Sequence, residues 1–98
     1  VSNVSNVPHA TELYQNYPIP FNPTTRIRFT VPVGTGHAPS LLKVFDVLGK
    51  EVATLVNEEL KAGSYTRTFD ARNLSSGIYL YRLESGGAVL VKKLMVVK

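Results

Sequence analysis

Thr25-Arg26-Ile27-Arg28-Phe29-Thr30-Val31 decides the fold class. Ile27, Phe29 and Val31 alternate with Arg26, Arg28 and Thr30, the period of two that puts every second side chain on one face of a strand. A helix would need its apolar residues three and four apart, so this stretch reads as a half-buried strand. The pattern continues downstream. Leu41 to Val47 sets Leu42 and Val44 against Lys43 and Phe45. Asp46-Val47-Leu48-Gly49-Lys50 then signals a tight turn, because Asp can bond its own backbone ahead and Gly tolerates positive φ. With Glu51 to Val56 behind it, the turn predicts a hairpin. Asn57 to Lys61 is too short for a helix with its own packed face and is expected to form a loop or a single turn. Gly63 opens a strand from Ser64 to Asp70, in which Tyr65 and Phe69 share a face across Arg67, whose aliphatic stem can lie along it. Ile78 to Glu84 and Ala88 to Val97, joined at Ser85-Gly86-Gly87, are apolar at alternate and at neighbouring positions and are predicted to be central.

Working outward in the other direction, Pro18, Pro20 and Pro23 exclude a helix, and the Ser-Asn repeat in Val1 to His9 lacks periodicity. Residues 1–12 are expected to be a linker from an upstream cargo domain and residues 13–98 the folded unit. With no initiator Met and no signal peptide at Val1, the chain reads as a segment of a larger precursor. Six or seven short strands separated by Gly or Pro predict an all-β fold: an antiparallel, immunoglobulin-like β-sandwich of about seven strands, with a small barrel as the runner-up. The 98 residues suffice for one domain with a modest core. A 44% hydrophobic share beside 18% charged residues excludes a disordered tail. No uninterrupted apolar run approaches the ~20 residues of a membrane-spanning helix, so the piece is expected to lie in water.

Catalytic constellations are missing from the sequence. Cys is absent, which excludes disulfides, thiolate metal sites and cysteine nucleophiles. His9 and His37 sit in Pro- or Gly-rich connections without a second ligand at metal spacing. Asp46 and Asp70 fall at strand ends, where turn bonding accounts for them. Gly34-Thr35-Gly36 lacks the Lys-Ser and helix start of a phosphate loop. No enzyme, cofactor or metal is therefore expected. A net charge of +4 permits an anionic partner. The basic residues are nevertheless interspersed with Glu51, Glu58, Glu59 and Glu84, and without an aromatic-basic stripe nucleic acid is not an expected partner.

Two features invite a functional reading. Tyr79 and Tyr81 alternate onto one strand face, as a sugar-stacking platform requires, although core packing explains the same spacing. The last segment, Ala88 to Lys98, either completes the sandwich or pairs its backbone with a receptor sheet, with Lys92, Lys93 and Lys98 supplying charge selectivity.

LYQNYPIPFNPTTRIRF from Leu13 resembles the opening signature of the C-terminal sorting domains of the type IX secretion system, type A. KVFDVLGKEVATLVNEELKAG from Lys43, FDARNLSSGIYLYRLESGG from Phe69 and KKLMVVK from Lys92 are similar to that family's later motifs, in the same order. The pattern is related to the immunoglobulin-like domains of flagellar hook-capping proteins. The resemblance implies a non-catalytic sorting signal that directs an upstream cargo of a Bacteroidota-type bacterium through the periplasm and across the outer membrane to the cell surface. The implied partners are the outer-membrane translocon and a sortase-like protease that cuts upstream of the domain. By motif, Pro18, Pro20, Phe21, Asn22, Pro23, Asp46, Gly49, Gly77, Tyr79 and Arg82 carry over, mostly as structural residues. Lys92, Lys93, Leu94, Val96, Val97 and Lys98 carry over as candidates for translocon recognition. The chain departs from the family at Ile19, where Asn is usual; if that Asn caps the Pro-rich turn, Ile19 must hold it by packing. Lys50 and Phe69 stand where Arg and Trp are common. The alternative function is a carbohydrate-binding accessory module, with Tyr79 and Tyr81 as contacts, or a structural one, within a secreted hydrolase.

Overall fold

The computed structural model describes residues 10–19, 23–32 and 37–98. Its seven strands are β1 (Glu12–Leu13), β2 (Thr24–Val31), β3 (His37–Phe45), β4 (Glu51–Lys61), β5 (Gly63–Asp70), β6 (Gly77–Ser85) and β7 (Ala88–Val96). They form two antiparallel sheets, one ordered β1-β2-β5 and the other β4-β3-β6-β7. The chain changes sheet between β2 and β3, between β4 and β5 and again between β5 and β6. Those crossovers give the Greek-key wiring of an immunoglobulin-like sandwich, with β4 in the sheet of β3.

The core lies between the sheets and is built from the alternation that the sequence announces. Ile27, Phe29 and Val31 of β2 are fully buried opposite Leu42 and Val44 of β3 and Tyr81 and Leu83 of β6. Phe29 stacks on Tyr65 of β5 with ring centroids 5.5 Å apart. Arg67 lies with its guanidinium 5.8 Å from the Tyr65 ring, as its stem position predicts.

Asp46 organises the predicted hairpin turn. Its Oδ1 accepts the N–H groups of Leu48 and Lys50, both at 2.9 Å, and Gly49 takes φ +88°, a region closed to most side chains.

Two expectations are corrected. Asn57 to Lys61 is neither loop nor turn but the second half of β4, paired with β3 from Leu41↔Asn57 to His37↔Lys61. Asn57, Glu58 and Glu59 are all exposed while Leu60 is buried, so three consecutive polar, solvent-facing residues mask the alternation in this half of the strand. Two register shifts in the ladder fall in the first half of β4, opposite Leu42 to Phe45. The chain then crosses to the other sheet through Ala62 alone. The second correction concerns β7, which forms a sheet edge where a central strand was expected. Only its even positions Leu94 and Val96 are buried, while Val89, Val91 and Met95 face outward. Strand β6 is central as predicted. Lys92 shares the inward-facing parity of Leu94 but is only partly buried at the sandwich margin.

Candidate functional site

The two stretches singled out by sequence, the opening turn and the closing strand, lie along the same seam of the sandwich. In the opening stretch Leu13 and Asn16 point inward. Asn16 is 1% exposed, and its amide donates to Thr25 Oγ1 at 3.0 Å and to the Pro18 carbonyl at 3.4 Å. Thr25 Oγ1 itself donates to the Pro18 carbonyl at 3.2 Å. The Tyr81 hydroxyl, reaching across from β6, accepts the Asn16 N–H at 2.9 Å and donates to the Tyr14 carbonyl at 2.8 Å. Burial pushes the Tyr81 phenol up to about 12, against the opposing pull of the Asn16 N–H. The peptide bond between Tyr17 and Pro18 is cis.

This network overturns the role expected for Ile19. It is 53% exposed and does not hold the turn by packing; Asn16 and Thr25 hold it instead. Sequence reasoning missed Asn16. Its only signal was a polar residue three positions before Ile19, nine positions ahead of Thr25. Pro23 serves the same region, its carbonyl accepting the Ala71 N–H at 2.8 Å. Pro20, Phe21 and Asn22 lie outside the described residues, as do His9 and the segment 34–36.

The remaining motif residues are also engaged within the fold. Tyr79 is 7% exposed and donates to the Ser75 carbonyl at 2.8 Å, while Tyr81 is completely buried. Both rings therefore belong to the core, and the sugar platform predicted for Tyr79 and Tyr81 does not exist in this fold. Arg82 stacks over Phe45 at 4.6 Å and pairs with Glu84 at 3.0 Å on the outer face of the larger sheet. Gly77 begins β6 at φ +149°, a conformation that other residues rarely adopt. Asp70 caps the loop that follows β5. Its carboxyl lies below the ordinary value because it accepts the Arg72 N–H at 2.9 Å and pairs with the same guanidinium.

In the closing strand, side chains on alternate positions diverge. Leu94 is 3% and Val96 1% exposed, so both candidate recognition residues are core residues whose side chains the folded domain withholds from a partner. The outward positions carry Val89, Val91, Lys93 and Met95, extended by Val97 and joined by Ile78 of β6, which is paired with Met95. Gln15 Nε2 donates to the Lys93 carbonyl at 2.8 Å, which shows that this carbonyl points away from β6. By the alternation of an antiparallel ladder, the backbone groups of Val91 and Met95 face the same open side. No described strand pairs with β7 there. Lys98 is tied down at the far end, its N–H to Ser76 Oγ at 3.0 Å and its Nζ to the Arg72 carbonyl at 2.6 Å.

A family model described as the secretion system C-terminal sorting domain matches residues 15–97. The chain belongs to that family. No curated protein and no solved structure matches it. The sorting domain is the C-terminal secretion signal of type IX cargo, so its work is export of a linked protein to the cell surface or extracellular space. No helix among the described residues is long and apolar enough to cross a membrane.

Proposed function

We propose that this sorting domain is non-catalytic and is read by the outer-membrane translocon at strand β7, after transit through the periplasm. A sortase-like protease then cuts in the linker, residues 1–12, and leaves residues 13–98 behind. What supports the reading is the edge strand: open backbone groups beside an exposed row of Val89, Val91, Met95 and Val97. A partner strand added at that edge satisfies the backbone while its side chains cover the row. Lys93 and Lys98 supply the charge selectivity, and Leu94 and Val96 hold the strand in place from beneath.

The test is export of a reporter fused ahead of this chain in a bacterium with a working type IX system. Truncating the last five residues would remove Leu94 and Val96 and unfold the domain, so exposed positions are altered instead. A variant carrying Val89→Thr, Val91→Thr, Lys93→Glu and Met95→Thr is expected to melt as the parent does and to strand the reporter in the periplasm. Surface delivery at the parental level from that folded variant refutes recognition at β7.

A further inference from the structure

Of the five arginines, Arg67, Arg72 and Arg82 each pair with a carboxylate: Glu58, Asp70 and Glu84. Arg26 and Arg28 have no carboxylate partner among the described residues. They project from β2 on the outer face of the smaller sheet. Two positions apart on one strand, they stand about 7 Å from each other. Their cross-strand neighbours in β5 are Thr68 and Thr66, which bring hydroxyls and no charge.

The aromatic half of this face arrives from another element. Tyr14 lies under the Arg28 guanidinium, 4.5 Å from ring centroid to Cζ, which fixes that cation in place. Tyr17 exchanges two backbone hydrogen bonds with Arg26, at 3.0 and 2.9 Å, so its ring is held beside the arginines by strand-like pairing. That residue is 70% exposed, and no described residue stacks on its ring. Tyr14, Gln15, Tyr17, Arg26, Arg28 and Thr66 line an open cleft of about 310 Å³, and none of them is acidic.

We propose that this cleft binds an acidic saccharide, one bearing phosphate or carboxylate. The two guanidiniums hold the anionic group through charge-assisted hydrogen bonds, the Thr66 hydroxyl and the Gln15 side-chain oxygen meet ring hydroxyls, and the free Tyr17 face stacks on the sugar ring. An acidic peptide suits the site less well, because the cleft lies on a sheet face whose backbone groups are already spent in the ladder. A single nucleic-acid strand needs successive free rings along its path, and here only Tyr17 is free.

The experiment is a titration of this 98-residue chain, isotope-labelled, with glucose 6-phosphate and trigalacturonate, each against its neutral counterpart, glucose and a galactose trimer. A glutamate hexapeptide and a short thymidine oligonucleotide form two further arms. Chemical-shift changes with the acidic sugars are expected to centre on Tyr14, Tyr17, Arg26, Arg28 and Thr66. Neutral sugars are expected to leave these positions unmoved, and the Arg26→Ala, Arg28→Ala double variant to bind at least about tenfold more weakly. Tyr17→Ala is expected to weaken the acidic sugars and leave the weak attraction of the hexapeptide unchanged. Equal binding of neutral sugars, undiminished binding by the double variant, or tighter binding of the hexapeptide or the oligonucleotide than of the acidic sugars overturns the proposal. A preference for phosphate over carboxylate, or the reverse, identifies which acidic group the site takes.

Discussion

Residues 10–19 and strand β7 run alongside each other, and they are fastened in opposite ways. The opening stretch contributes only a two-residue strand and three further backbone bonds to β2, and Asn16 and the Tyr81 hydroxyl supplement that short ladder with side-chain bonds. β7 is held by a ladder of nine paired positions and by the two apolar side chains beneath it. The first arrangement consumes Asn16 and Thr25 internally. The second leaves every other residue facing solvent. Motif density alone therefore does not mark a recognition surface: Asn16, within the richest motif in this chain, is an internal fastening, and the outward row of β7 belongs to a plainer one.

The sharpest way to break that comparison is to weaken the two fastenings separately. Leu94→Ala deletes a buried side chain and is expected to cost about 3 kcal/mol, read as a lowered urea midpoint at unchanged slope. Met95→Ala beside it should shift stability by less than about 0.5 kcal/mol. Equal losses from the two would show that β7 does not divide into an inner and an outer face.

Next in size is Tyr81→Phe, which leaves the buried Asn16 N–H and Tyr14 carbonyl without their partner and should cost about 2 kcal/mol. The same variant carries a signature in pH. The folded-state value of Tyr81 lies near 12 against an ordinary 10.0, so its contribution is complete below pH 10 and is lost as pH rises toward 12. Alkaline melts of the parent should therefore fall more steeply through that window than those of Tyr81→Phe. Parallel curves would remove the buried hydroxyl from the account.

Gln15→Ala unlatches the opening stretch from β7. The bond is exposed, so the expected loss is at most about 1 kcal/mol, with faster amide exchange in residues 14–17 and no change in the β6–β7 ladder. Smallest of all is Asp70→Asn, which acts on the loop that holds Lys98. Because the Asp70 carboxyl is depressed, its contribution is present above pH 3.8 and drains away as pH falls through the lower folded value. Parent and variant should differ slightly at neutral pH and converge in acid.

Much of this architecture was written into the residue pattern, and the failures follow a common cause. Alternation exposed β2, β3 and β5 because each has one dry and one wet face. Asp46 and Gly49 exposed the hairpin because a turn has local chemistry. The second half of β4 stayed hidden, since Asn57, Glu58 and Glu59 are three exposed polar residues in a row and leave only Leu60 to mark a dry face. The edge position of β7 was equally illegible: Val89, Val91 and Met95 are as apolar as core residues, and only the partner on each side distinguishes them. Tyr79 and Tyr81 offered the same spacing to a core or to a sugar, and burial decided between them. The cleft at Arg26 and Arg28 was invisible for another reason. Its tyrosines lie nine to fourteen positions away in the chain and reach the arginines only through the pairing of Tyr14 and Tyr17 with β2.

Strand polarity carries one more consequence. The Thr11 hydroxyl donates to the Ser85 carbonyl, at one end of β6, whereas Lys98 is bonded to Ser76 at the other. The first and last strands therefore run parallel, and the two ends of the described chain sit at opposite poles, about 30 Å apart along β6. Tension applied between those poles loads the ladders lengthwise. Their hydrogen bonds share the force and must slide together, where a pull from a single pole would peel them one at a time. A domain wired this way resists traction along its own axis and yields to a tug from the side.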